Sequence, residues 1–566
     1  VCLELQSLIG YDVGFGRARE TDEEGVYKVV FGFGDDQVAT ACLYAAQNLL
    51  NAAVHDLPYD IKKTLADLRA YDQQVGLTVS ERILIDTAKK QGIPYFRIAH
   101  SHLLSFGYGK YQKYLWGTLT PQTGAIACDM AGNRAFIPEL LRVGGLPVIS
   151  SYLIKNEKHA WEIAQDLGLP VVIKRRYAQY ASGAYLNLNT ESEVKEAYHL
   201  ASADEYSVII EPFISGKTYH LLVNEGQLLA ISCEDNKNLF AVSGEIHYQN
   251  IHYAALAAKI VGLKIAHVVM MAKDISESLS VQAGKIIGIH PEINLSYWQT
   301  LQSIENFAGA AFMRHIFSDI AGQGRIPVFG ISGIEGQNLC ARLLHHIFLK
   351  QKDNHVGLSC RQGIWIKECC LSDQVSDNAL GAQRVLRHPE VDRAILENSW
   401  KGIQTQGLGF DHCEFAIITD ASLNEAELEE DQRTLIFKNL RSVIDGATEQ
   451  DKVILSAEET LTTELTEIAR APLYYFSLNK NHPLIQKVKE ENHTVFYWEN
   501  DSVVIESNQE KVGSINLNKV QNLTDIDQKS VLAAITAAWL SLLSIEEIQQ
   551  AINNFNNWCP SPRLEK

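Results

Sequence analysis

Residues 326–349 constrain the chain most. Ile326-Pro327-Val328-Phe329-Gly330-Ile331 is an apolar run of strand length. It enters the loop Gly333-Ile334-Glu335-Gly336, and residues 339–349 then read as a helix. Strand, glycine loop and helix form a building unit of α/β folds and the setting that a phosphate-binding loop requires. Such a loop cradles phosphate oxygens with backbone N–H groups at a helix N-terminus. It also needs a Lys for the β/γ-phosphates and a Ser or Thr hydroxyl for Mg²⁺. Here Gln337 and Asn338 follow Gly336. Gln337 brings no positive charge, and Asn338 is a poor replacement for the hydroxyl. Taken alone, residues 333–338 are a structural strand-to-helix turn rather than a nucleotide site.

Three domains are expected in the 566 residues: 1–126, 127–323 and 324–566. In the first, residues 26–33 read as a strand entered from a turn at Gly25. Residues 79–91 read as a helix: Thr78 and Glu81 have capping-box spacing, Ile83, Leu84 and Ala88 give an apolar face, and Gly92 with Pro94 ends it. GFGRAR (14–19) and GYGKYQKY (107–114) read as turns with a solvated basic edge. Their sharper reading is a docking surface for an anionic or polymeric ligand.

In the second, a helix at 157–167 leads through Gly168 and Pro170 into strand 171–174, which ends on Lys174. A helix at 191–201, a strand at 207–210 and Glu211-Pro212-Phe213-Ile214 follow. A hairpin turns at Asn224-Glu225-Gly226. Residues 253–272 are the longest apolar stretch, but Lys259, Lys264 and His267 interrupt it, so it reads as a buried helix and a strand rather than a membrane span. The third domain continues the α/β alternation and ends in two helices, the last with a capping box at Ser544 and Glu547.

Fifty Lys and Arg against 68 Asp and Glu give a net charge of −18, which argues against nonspecific nucleic-acid binding and against docking on an anionic membrane. None of the ten Cys lies in a CxxC pair, and adjacent Cys369 and Cys370 do not have zinc spacing. A reducing, cytoplasmic setting is expected. The start, VCLELQSLIG, lacks the features of a signal peptide and an initiator Met, so a fragment or a trimmed chain is expected.

Lys174 at a strand end, followed by the EPFI hinge, has the order of an ATP-grasp domain. From here the chain resembles the cyanophycin synthetase family. The resemblance is carried by VGFGRARET, GVYKVVF and GYGKYQK; by CDMAGNRAFIPELLRVGGLPV, LGLPVVIK and IIEPFISGKTYHLLV; and by RIPVFGISGIEGQN, HPEVDRAILEN and GLGFDHCEFAIITD, in collinear order. It implies a multidomain protein of α/β and α+β class: an N-terminal α+β domain, an ATP-grasp-like domain, and a Mur-ligase central-like domain with a degenerate P-loop. The family activity it implies is ATP-dependent ligation, building polyaspartate with arginine on each side chain through acyl-phosphates that need ATP and Mg²⁺. A second type, cyanophycin synthetase 2, polymerises β-aspartyl-arginine dipeptides at the ATP-grasp site.

By the same resemblance, Lys174, Glu211, Phe213 and Ile214 hold nucleotide, Gly333, Gly336, Gln337 and Asn338 form the phosphate loop, and Glu397 binds metal. The departures are as informative. A family Asp becomes Val269, and Glu-Val-Asn becomes Gly288-Ile289-His290, with Glu292 nearby as a substitute metal ligand. The glycine-rich flap matches residues 177–183, which have lost most of their glycines, and an expected Arg is His220. The family's Arg-Gly-Gly after Glu397 becomes Trp400-Lys401-Gly402. The chain is expected to be short at its start, between Leu229 and His247, and at its end, where a C-terminal lobe is missing.

The expectation is a catalytically impaired or inactive family member. It would form a dimer or tetramer and would either bind cyanophycin or β-aspartyl-arginine or pair with an active synthetase. The alternatives are a working ligase of the cyanophycin synthetase 2 type and a decaying fragment with no selected function.

Overall fold

The computed structural model describes residues 1–20, 25–177, 183–203, 207–235, 238–242, 244–299, 307–317, 324–351, 354–421, 430–459, 461–518 and 523–555. The chain packs as two compact units. One comprises Val1–Phe106 and Lys113–Asp319; the other comprises Gly107–Gln112 and Ile320–Lys566. Among the described residues no helix is long and apolar enough to cross a membrane.

After a short helix at Cys2–Leu8, the first unit has an antiparallel pair, β1 (Gly16–Glu20) and β2 (Tyr27–Phe31). GFGRAR therefore supplies a strand, not only a turn. Helix α1 (Val79–Lys90) begins with both capping-box hydrogen bonds between Thr78 and Glu81. A three-stranded sheet follows: β3 (Tyr95–Arg97), β4 (Leu103–Phe106) and β5 (Lys113–Trp116).

Two further antiparallel sheets position the site. The first contains β6 (Tyr152–Ile154), β7 (Val171–Arg175), β8 (Ala184–Leu188) and β9 (Val208–Pro212), in the order β6-β9-β7-β8. Helices α2 (Glu157–Leu167) and α3 (Glu191–Ser202) cover it through Ala160, Ala164, Val194 and Ala197. The second contains β10 (Lys217–Asn224), β11 (Gln227–Asp235), β12 (Asn238–Ala241), β13 (Ile265–Ala272) and β14 (Lys285–His290), in the order β12-β11-β10-β13-β14. Helix α4 (Tyr248–Val261) packs on one face. Strand β13 shows the two-residue period: Ala266, Val268 and Met270 enter the core beneath α4, and His267, Val269 and Met271 face the other way.

The second unit is built on one sheet of order β18-β17-β16-β19-β15-β20-β21-β22-β23-β24-β25. Its parallel centre is β15 (Val328–Ser332), β16 (Val356–Cys360), β19 (Arg393–Glu397), β20 (Phe415–Ile418), β21 (Lys452–Ser456), β22 (Leu473–Ser477) and β23 (Val495–Glu499). Antiparallel strands β17 (Gly363–Ile366) and β18 (Cys369–Ser372) flank one side, and β24 (Ser502–Ser507) and β25 (Glu510–Asn516) the other. The central strands are buried on both faces and correspondingly read as continuous apolar runs. Phe329 and Phe415 lie opposite each other in register, with stacked rings 4.4 Å apart. Each such side chain contributes about 1.5–3 kcal/mol by leaving water. Helix α5 (Gln337–Leu349) packs against α6 (Asp525–Leu540), and α7 (Ile545–Asn553) closes the described chain with the expected capping box.

Residues 107–112 form the expected turn, with Lys110 exposed, and backbone hydrogen bonds also tie them into the second unit. The Tyr108 N–H donates to Gly324 O at 2.8 Å and the Lys110 N–H to Val391 O at 2.7 Å, and Tyr108 is buried. Gly109 has φ +54°, and a Cβ there would meet Val391 O at 2.0 Å, so only glycine fits.

Candidate functional site

The first unit encloses a cavity of about 460 Å³, walled by both of its larger antiparallel sheets. Register places the charged groups. Val172 on β7 lies opposite Glu211 on β9, and Lys174, two residues on, shares the face of Val172. Lys174 Nζ reaches Glu211 Oε2 at 2.6 Å, with side chains only 13% and 3% exposed. The Ser151 hydroxyl donates to the other carboxylate oxygen. Phe213 and Ile214 continue along the wall, and the Phe213 N–H donates to Pro170 O at 3.0 Å. The cavity therefore brings Lys174, Glu211, Phe213 and Ile214 together.

On the opposite sheet, Val269 and Gly288 are register partners, and both line the cavity. These positions, matched by resemblance to carboxylates, are cross-strand neighbours that offer no side-chain oxygen. Mg²⁺ takes near-octahedral oxygen ligands, including one or two carboxylates, so these residues do not fit it. Glu292 is not part of the cavity lining. Its Oε1 sits 3.1 Å from where a Cβ on Gly117 would be. Within 177–183, residues 178–182 lie outside the described residues. Among the described residues, no group of three or more His, Cys, Asp and Glu side chains is arranged to hold a metal ion.

Histidines occupy this wall instead. His220 Nδ1 and His267 Nε2 share a hydrogen bond at 3.0 Å, His220 Nε2 meets Glu234 Oε2 at 3.2 Å, and His220 stacks on Tyr297 at 4.1 Å. Burial holds all three imidazoles below their ordinary range. Glu234 partly opposes this at His220. Neighbouring imidazoles add to it at His267. Burial, with Arg134 and Lys174 nearby, takes His290 down to about 4. At neutral pH the cavity's cations are thus Arg134 and Lys174, the latter paired. The sequence reading named His220 and His290 as departures at the site, His267 only as a polar interruption of an apolar stretch, and Arg134 in no role. The alternation in β13 is the signal that would have found His267.

In the second unit, the glycine loop lies between β15 and α5. The Ile334 N–H donates to Asp420 O at 3.0 Å and the Thr419 hydroxyl to Glu335 O at 2.8 Å. Gly336 has φ +80°, and a Cβ there would meet Ser530 Oγ at 2.4 Å. Gln337 points no cation at the loop, and its Oε1 is buried without a hydrogen-bond partner. Asn338 Nδ2 donates to Glu397 Oε2 at 2.6 Å. Glu397 is 1% exposed, and burial pushes its carboxyl up to about 7 against the Arg361 and Asn338 hydrogen bonds. An amide N–H₂ facing the carboxylate is not an oxygen cradle, so Mg²⁺ does not fit here either.

Two antiparallel sheets around a cavity with a strand-end lysine, followed by a largely parallel sheet with a glycine loop, define a multidomain protein of α/β and α+β class. The cyanophycin synthase-like N-terminal domain family matches residues 1–55. The cyanophycin synthetase of Geminocystis herdmanii is 25% identical over an alignment of 646 residues, covering 98% of this chain and 73% of the relative. Along nearly its whole length the chain is thus similar to a cyanophycin synthetase. Among solved structures, a bifunctional glutathione synthetase from Pasteurella multocida has a TM-score of 0.31 at 13% identity, covering 50% of this chain and 51% of that one. A UDP-N-acetylmuramoyl-L-alanyl-D-glutamate–2,6-diaminopimelate ligase has a TM-score of 0.33 at 12% identity, covering 44% and 49%. The chain thus spans about half of each of these two structures.

Proposed function

We propose that this protein is a catalytically impaired or inactive member of a family of ATP-dependent amide ligases. It acts in the cytoplasm as a dimer or tetramer, by binding cyanophycin or by pairing with an active synthetase. The pairing of Val269 with Gly288 on the cavity wall carries this reading. Acyl-phosphate formation concentrates negative charge on the transferring phosphoryl group, and losing one group that stabilises such charge costs about 10²–10³ in rate. Arg134 and Lys174 would hold phosphate oxygens, and the apolar wall around Phe213 and Ile214 the rest of a nucleotide. Bound Mg²⁺ would supply charge neutralisation, for which this wall provides no carboxylate at Val269 or Gly288. Calorimetric titration with ATP, with and without Mg²⁺, tests the reading: Mg²⁺-dependent tight binding would overturn it. Cosedimentation with cyanophycin granules and a pulldown test the binding role, and failure of both sinks it.

The second reading is a working ligase of the cyanophycin synthetase 2 type. The clustering of Lys174, Arg134 and Glu211 in one cavity favours it. In that reaction the chain-end carboxylate displaces ADP to form an acyl-phosphate, and the dipeptide amine then displaces phosphate. Phosphate release dependent on β-aspartyl-arginine would establish it, and its absence where an authentic synthetase works would exclude it.

A further inference from the structure

The surroundings of Glu397 form a network that the first unit's cavity does not involve. Glu397 ends β19, in register with Ile331 of β15, and so emerges beside the glycine loop. Asn338, in the first turn of α5, donates from Nδ2 both to Glu397 Oε2 and to Gln362 Oε1, each at 2.6 Å. Gln362, in the turn between β16 and β17, returns a hydrogen bond from Nε2 to Asn338 Oδ1 at 2.8 Å. The two amides therefore form a reciprocal ring. That ring engages the Asn338 oxygen with Gln362 and fixes the Asn338 nitrogen on the carboxylate. The Arg361 N–H adds a second donor to Glu397 Oε2 at 2.8 Å.

The other side of the loop is neutralised from within as well. Lys529 Nζ lies 2.6 Å from Glu459 Oε1 and 3.6 Å from Asp420 Oδ1, with the Lys529 side chain 14% exposed. The next residue, Ser530, is the one a Cβ on Gly336 would strike. A buried carboxylate needs a cation or donated hydrogens. At Glu397 and at Asp420 with Glu459, those partners come from the chain itself.

We propose that Asn338, locked by Gln362, stands in for a divalent cation at Glu397, making the glycine loop of the second unit a finished structural element that takes neither metal nor nucleotide. The orientation of one amide is then the specificity determinant: it presents N–H₂ where a metal site would present oxygen. This inference is independent of the reading of the first unit's cavity.

The test uses the full chain, with Mn²⁺ as the probe, read by electron paramagnetic resonance and thermal melting. Asn338→Asp is nearly isosteric and replaces the donor with a second carboxylate. It is expected to bind one Mn²⁺ per chain and to gain several degrees of melting temperature with Mn²⁺, as linkage requires. Wild type is expected to do neither at this site. Asn338→Thr, which supplies a hydroxyl without charge, covers the case in which Asn338→Asp does not fold, and it too is expected to bind Mn²⁺. Mn²⁺ binding in neither variant overturns the proposal. So does Mn²⁺ bound by wild type and lost in Glu397→Gln. Mn²⁺ that wild type binds and Glu397→Gln retains is not held by Glu397, and that result leaves the wild-type expectation at Glu397 met.

Discussion

Tyr108 donates its hydroxyl hydrogen to Asp411 at 2.9 Å, across a sequence separation of 303 residues. The same carboxylate receives Arg325 through two nitrogens, at 3.0 and 2.5 Å. Tyr108→Phe removes one partly buried hydrogen bond without changing the ring. The expected cost is about 1 kcal/mol, or a fall of roughly 2–4 °C in the melting transition of the second unit. Differential scanning calorimetry checks it; an unchanged transition would mean that the hydroxyl contributes nothing.

Lys174 and Glu211 are buried partners, so removing either alone strands a charge. Lys174→Met is expected to destabilise the first unit by about 3 kcal/mol even without any nucleotide. The double variant Lys174→Met/Glu211→Gln is expected to recover most of that loss. Denaturant unfolding of the four proteins in the cycle gives the coupling, and additive losses would show that the pair is not energetically joined.

Restoring oxygen ligands tests the eroded wall directly. Val269→Asp with Gly288→Glu puts two carboxylates on register partners. A Cβ at Gly288 would lie 3.1 Å from His290 Nε2, a side chain that can give by a few tenths of an ångström. The double variant is expected to gain Mg²⁺-dependent ATP binding that wild type lacks. If titration heats stay flat with Mg²⁺ present, the lost carboxylates are not what limits the cavity.

His345 gives a pH dependence with a definite sign. It is buried in α5, and desolvation takes its imidazole from the ordinary 6.5 down to about 3. Between those values the unfolded chain holds a proton that the folded chain does not. Its contribution to stability is therefore complete above pH 6.5 and falls on acidification, by up to about 1.4 kcal/mol per pH unit. Glu397, raised from 4.5 to about 7, works with the opposite sign between those values. The comparison of His345→Leu with wild type at pH 5 and 7 isolates His345. The variant is expected to lose less stability on acidification, and equal losses would refute the assignment.

What the sequence made legible is what neighbours in the chain decide. The capping boxes at Thr78 and Ser544, helix α2, the hairpin turn at Glu225-Gly226 and the strand–loop–helix at Gly333 each rest on residues a few positions apart. Pairings across long separations were not legible. Nothing near residue 108 announces Asp411, nothing near Asn338 announces Gln362, and nothing local places Arg134 in the same cavity as Glu211. Of the site residues taken from resemblance, Lys174, Glu211, Phe213 and Ile214 share one cavity, and Glu292 lies outside its lining. Their roles depended on side-chain orientation, as at Asn338, which one letter of sequence does not encode.

The six residues 107–112 belong to the second unit, whereas Phe106 and Lys113 belong to the first. The chain therefore passes between its units three times, at 106/107, 112/113 and 319/320. The two halves are not separable as a front piece and a back piece. A single proteolytic nick at the last junction would leave the front fragment still carrying residues 107–112 of the second unit.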